Sequence, residues 1–117
     1  MEVQVFGVRK SADTRAALRF FAERRIKVHF VDLIERPAAP GELRRFAEKF
    51  GLQALVDPAS RRFAELGRPV ATLERLSLEP LLLRMPLVRL RHQLTIGPAA
   101  ETWREWIAAS GTRPPGG

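Results

Sequence analysis

Apolar and polar positions alternate along this chain with two different periods, and the switches between them mark the elements. Val3 and Val5 alternate with Glu2 and Gln4 and lead through Phe6 to Gly7, the pattern of a strand that ends at a turn. Ser11 then stands where a helix cap belongs. From there Arg15, Leu18, Phe21, Ala22 and Arg25 recur at helical spacing, which puts Leu18, Phe21 and Ala22 on one face toward a core. Arg24, Arg25 and Lys27 crowd the end of that helix, where positive charge is favoured. Val28 to Leu33 is a β-rich run with Asp32 near its end. Strand, helix, strand at this spacing predicts a parallel pair joined by a right-handed crossover.

Pro37 and Pro40 punctuate the next loop, after which Leu43, Phe46, Ala47 and Phe50 fall at helical spacing between Pro40 at the start and Gly51 at the end. Arg62 to Leu66 predicts a helical turn closed by Gly67, and Thr72 caps a further helix that begins TLERLSL. Pro80 and Pro86 bracket LLLRM. Leu87 to Leu90 and Leu94 to Ile96 then read as two strands around Arg91-His92-Gln93, a hairpin. A last helix carries Trp103, Trp106 and Ile107 on one face before Gly111, and Thr112 to Gly117 is a Pro/Gly-rich tail expected to be disordered. Neither a repeat nor a linker divides the chain, so 1–111 is expected to be one domain. A βαβ start, a helical insertion and a C-terminal hairpin and helix make it an α/β protein with a thioredoxin-like mixed sheet.

Composition narrows the chemistry. The 117 residues include no cysteine, which removes disulfides, thiolate catalysis and cysteine-ligated metals together. Apolar stretches such as Leu81 to Leu83 are far short of the roughly 20 residues a membrane helix needs. MEVQVFG also lacks the basic and apolar regions of a leader, so a cytoplasmic protein that does not engage membranes is expected. The net charge is +7, and of the 20 basic residues only Lys10, Lys27 and Lys49 are lysine. That excess favours acidic partners. The arginines are nevertheless scattered in pairs such as Arg24-Arg25, Arg44-Arg45 and Arg61-Arg62, with no basic block and no interleaved aromatics, which reads as a solvated surface and makes nucleic acid the weaker partner.

Other chemistries find little support. His29 and His92 are the only histidines and lack companion ligands at metal-binding spacing, so no metal and no cofactor are expected. A hydrolytic triad of Ser11, a histidine and Asp13 or Asp32 lacks a nucleophile elbow around the serine. Trp103 and Trp106, spaced with Ile107, read as core rather than as a stacking platform, and Gly7 as a turn rather than a phosphate loop.

The stretch Phe6-Gly7-Val8-Arg9-Lys10-Ser11-Ala12-Asp13-Thr14-Arg15 resembles the start of the arsenate reductase (ArsC) and Spx family, where a strand and loop lead to a nucleophilic cysteine followed four residues later by arginine. Ser11 takes the cysteine's place and Arg15 the arginine's. Phe30 to Gly51 resembles the family's second strand, loop and long helix, and Ser60 to Gly67 its S-x-x-F-x-x-L segment. Pro80 to Pro86, followed eleven residues later by Gly97, matches its P-x-L-x-x-R-P segment and hairpin, with an insertion between Gly67 and Pro80 that is shorter than usual. The resemblance places Pro86 on the family's cis-proline and Met85 where an arginine precedes it.

These departures fall on the chemistry. A serine hydroxyl neither ionises like a thiol nor has a two-electron redox couple, and Met85 cannot pair an oxyanion as a guanidinium does. The resemblance therefore implies a pseudoenzyme with no catalytic residue. What remains is a candidate anion- or partner-binding set of Arg9, Lys10, Ser11, Arg15, Arg84 and Pro86 around a helix start whose free N–H groups attract anions. By similarity to Spx the expected partner is a protein, RNA polymerase in the specific version. The alternative is a small oxyanion bound for reduction by an external thiol.

Overall fold

The computed structural model describes residues 1–110, and the tail at 112–117 lies outside them. Four strands, β1 (Glu2–Gly7), β2 (Lys27–Asp32), β3 (Leu87–Leu90) and β4 (Gln93–Ile96), form one mixed sheet in the order β2-β1-β3-β4. β1 runs parallel to β2, from Glu2 opposite Lys27 to Gly7 opposite Asp32, and antiparallel to β3, with Gln4 opposite Arg89 and Phe6 opposite Leu87. β3 and β4 close the hairpin around Arg91 and His92, because Gln93 pairs with Leu90 and belongs to the strand.

Alternation in β1 builds two layers. Val3 and Val5 face one core with Val88 and Leu90. That core is closed by Ala17, Phe20 and Phe21 of α1 (Ala12–Glu23) and by Trp103 and Trp106 of α5 (Ala100–Ala109). Phe20, Phe21 and Trp103 stack at centroid distances of 5.1 to 5.3 Å, geometry in which each ring pair adds about 1 kcal/mol beyond its buried area. Phe6 faces the other core with Leu33, Leu87 and Leu94, covered by Leu43 and Phe46 of α2 (Pro40–Phe50) and Leu76 of α4 (Leu73–Leu78). The five-residue α3 (Arg61–Glu65) and 3₁₀ turns at Leu52–Leu55 and Pro80–Leu82 complete the helical insertion.

Local chemistry sets the boundaries. Ser11, Ser60 and Thr72 each accept a hydrogen bond from the backbone N–H three residues on, and Gly51 ends α2 at φ 87°. One expectation is corrected in α1. Ala22 is exposed, and the buried stripe runs through Thr14, Ala17 and Phe21 with Leu18 half-buried. The sheet sets this rotation, since β1 presses on the helix at Thr14. A Cβ on Gly7 would stand 2.7 Å from Thr14 Cγ2 and closer still to its Oγ1. Among the described residues, no helix is long and apolar enough to cross a membrane.

Candidate functional site

The loop from Gly7 to Ser11 is shaped by its hydrogen bonds. Ser11 N–H donates to Val8 O at 3.1 Å, while Ser11 Oγ accepts from Thr14 N at 3.1 Å and so caps α1. The hydroxyl at the expected nucleophile position is thus engaged with the helix start. Arg15 Nη1 donates to Arg9 O at 2.7 Å and braces the loop from outside. Arg9 turns away toward β2, with Nε 3.8 Å from an Asp32 carboxylate oxygen and its guanidinium 4.8 Å from the centre of the Phe30 ring.

A cleft of about 700 Å³ opens on the other side of Ser11. Lys10, Ser11 and Asp13 form one wall, and Asp57, Ser60, Arg61 and Arg62 face them. The floor and remaining side are Leu81, Leu83, Arg84, Met85 and Pro98. Of the six candidates, Lys10, Ser11 and Arg84 line this cleft. Arg9 and Arg15 do not, and Pro86 is buried beside it, its carbonyl accepting from Gly97 N–H at 2.8 Å. The Met85–Pro86 bond is cis, as the resemblance implies.

Sequence reading missed the wall made by Asp57 to Arg62. Its signal was the Ser60-Arg61-Arg62 run, which only the packing of the insertion brings opposite Ser11. Asp57 Oδ1 accepts from Ala59 N at 3.0 Å and shapes the turn that carries Ser60 and α3. Arg62 is committed elsewhere, to both carboxylate oxygens of Glu79 at 2.7 and 2.9 Å. Its hydrogen bonds to Glu79 raise the guanidinium pKa above its ordinary range and hold the Glu79 carboxyl below the usual value. Lys10, Arg61 and Arg84 are the cations in the cleft that form no ion pair among the described residues. Arg84 makes a long hydrogen bond, 3.4 Å, to Val56 O.

Comparison with solved structures now places this geometry. The chain superimposes on the YffB protein with a TM-score of 0.79 at 16% identity over 88% of this chain and 96% of that one. The arsenate reductase from Vibrio cholerae matches at 0.74 and 21% identity over 90% and 97% of the two chains. The arsenate reductase (ArsC) related protein from Brucella melitensis matches at 0.66 and 20% over 92% and 95%.

The chain has the arsenate reductase fold. That fold is thioredoxin-like, with the four-stranded mixed sheet and helical insertion described above. No family model matches the sequence, and comparison with curated proteins finds no relative. On the arsenate reductase fold this chain presents Ser11 at the start of α1 and has no cysteine to offer. Neither histidine reaches Ser11. His29 lies toward the opposite end of β2, near Gln4, and His92 is in the hairpin turn. Among the described residues, no group of three or more acidic, histidine or cysteine side chains is placed to hold a metal.

Proposed function

We propose that the chain is a non-catalytic arsenate reductase and Spx-like protein of the cytoplasm whose cleft at Ser11 docks an acidic segment of a protein partner. One observation carries the reading: where a nucleophile would stand, Ser11 Oγ is occupied in capping α1, beside three cations without ion pairs and an apolar floor. A tetrahedral oxyanion needs a compact ring of donors. This cleft is larger and much of it is apolar, and Leu81 in its lining is 42% exposed, the kind of surface a peptide covers. RNA polymerase, a partner suggested by similarity to Spx, is the specific form of this reading.

A second reading has one observation in its favour, the start of a twelve-residue helix flanked by Lys10 inside the cleft. There a small oxyanion would be held for an external thiol. Titration with a fluorescent Glu/Asp-rich peptide containing leucines separates the two. Binding that weakens about tenfold in Arg61→Ala and Lys10→Ala supports docking. Arsenate turnover with glutathione above the protein-free rate, without peptide binding, overturns it in favour of the second reading.

A further inference from the structure

The basic residues that look scattered in sequence converge at the end of the sheet remote from Ser11. Arg45 and Lys49 lie one turn apart on the same face of α2, and Arg89, Arg91 and His92 come from the β3–β4 hairpin. Together with Glu48 and Leu94 they line a groove of about 420 Å³. Its four lysines and arginines face a single carboxylate. None of the four forms a salt bridge among the described residues. Register fixes the distance from the cleft: Arg89 pairs with Gln4 near the start of β1, whereas Ser11 follows the far end of that strand.

The hairpin tip adds an independent observation. Arg91 has φ 56°, a left-handed conformation in which glycine or asparagine is unstrained and arginine is not. Arg89 Nε donates to Arg91 O at 2.6 Å and holds the turn in that shape, so a strained position displays a long cation at the mouth of the groove. The groove shares Lys49 and Leu94 with a second, largely apolar depression beside β4, so its cations are concentrated at the hairpin end of α2.

We propose that this groove binds the phosphodiester backbone of a duplex nucleic acid, with Arg45, Lys49, Arg89 and Arg91 on successive phosphates. The chemistry of the lining selects the ligand. Guanidinium and ammonium groups at spaced positions match a linear array of single charges. Apart from Leu94 and the His92 imidazole the lining consists of charged side chains, with no extended aromatic platform for a run of unpaired bases, so the contact runs chiefly to the backbone.

The test is fluorescence anisotropy of the intact chain with a labelled DNA duplex of about 20 base pairs across a salt series. Four neutralised phosphates give a slope of log K against log salt of about −3.6. Arg45→Ala and Arg91→Gly each flatten it by about 1 and weaken unrelated sequences equally. Arg91→Gly suits the left-handed turn, so loss of binding there does not report misfolding. Arg19→Ala, on α1 in the opposite layer, leaves the slope unchanged. Equal binding of duplex RNA supports the backbone reading. The proposal is overturned if Arg19→Ala costs as much as Arg45→Ala, if only single strands bind, or if polyglutamate competes as well as the duplex.

Discussion

Arg62 grips Glu79 through two parallel hydrogen bonds, Nε to Oε2 at 2.7 Å and Nη2 to Oε1 at 2.9 Å, across seventeen residues of chain. The pair ties α3, one wall of the Ser11 cleft, to the turn that enters Pro80–Leu82, its floor. Because Arg62 holds the Glu79 carboxyl below its ordinary value of 4.5, the folded state releases that proton more readily than the unfolded chain does. The stabilisation is therefore complete above the ordinary carboxylate range and is lost as pH falls through the depressed value. Thermal unfolding of the parent chain and Glu79→Gln should show the widest gap in Tm at pH 7 and a gap that closes on acidification below 4.5. A gap of constant size would show that the pair is not the cause.

Ser11 contributes to stability through its cap, and a one-atom change would put a thiol at the same helix start. Removing the cap in Ser11→Ala leaves Thr14 N without its side-chain acceptor and should cost about 1 kcal/mol in denaturant unfolding. Ser11→Cys puts a thiol at the start of α1 beside Lys10, where the helix dipole and the ammonium both favour thiolate. Its pKa should fall below the ordinary value of about 8.5, read from the pH dependence of iodoacetamide alkylation. Arsenate turnover with glutathione should remain at background in that variant, because Met85 supplies no donor for the oxyanion. Turnover in Ser11→Cys alone would show that the residue before Pro86 is dispensable.

Gly7 and Thr14 set how closely β1 meets α1. Gly7→Ala forces a methyl into the Thr14 side chain and should destabilise the fold by about 1 to 3 kcal/mol, as overpacking does. Thr14→Val acts in the opposite direction. Its Oγ1 is buried with no hydrogen-bond partner, so replacing the hydroxyl with a methyl of similar shape removes an uncompensated polar group and should raise stability by about 1 kcal/mol. If Thr14→Val instead lowered Cm in urea, the methyl, larger than the hydroxyl it replaces, would be overpacking against Gly7.

Thr14 also explains which parts of the fold were legible in the sequence. The strands and most helix limits could be read because caps, prolines and glycines mark them in the chain itself, as Ser11, Thr72, Pro40 and Gly51 do. The buried face of α1 was read one position off because its fully buried Thr14 is polar and its exposed Ala22 is not, so hydrophobic periodicity pointed past the true stripe. The site was half visible. Lys10 and Ser11 are neighbours in sequence and in space, but Arg9 and Arg15 are drawn off by Asp32 and by the loop's own carbonyl. Arg61 enters only because the insertion folds back across Ser11, and the basic groove only because α2 packs beside the β3–β4 hairpin. Neither juxtaposition leaves a periodic trace in the sequence.

The α5 layer rests on a polar contact as well as on its aromatic stack. Trp103 Nε1 donates to Thr95 Oγ1 at 2.9 Å, with Trp103 3% and Thr95 7% exposed, so the bond is shielded from water on both sides. Thr95→Val preserves the shape of the side chain and its β-branching on β4 while leaving the indole N–H buried without an acceptor. An unsatisfied buried donor costs about 1 to 3 kcal/mol, more than the net worth of the bond itself. Thr95→Ser retains the acceptor and loses only a methyl, so it should cost about 1 kcal/mol or less. Denaturant unfolding of both variants checks this, with the combined fluorescence of Trp103 and Trp106 as the probe. The expected order is parent, then Ser, then Val. If Val and Ser were equally destabilised, the hydrogen bond would contribute nothing, and the docking of α5 on the sheet would rest on the apolar packing of Trp103 and Trp106.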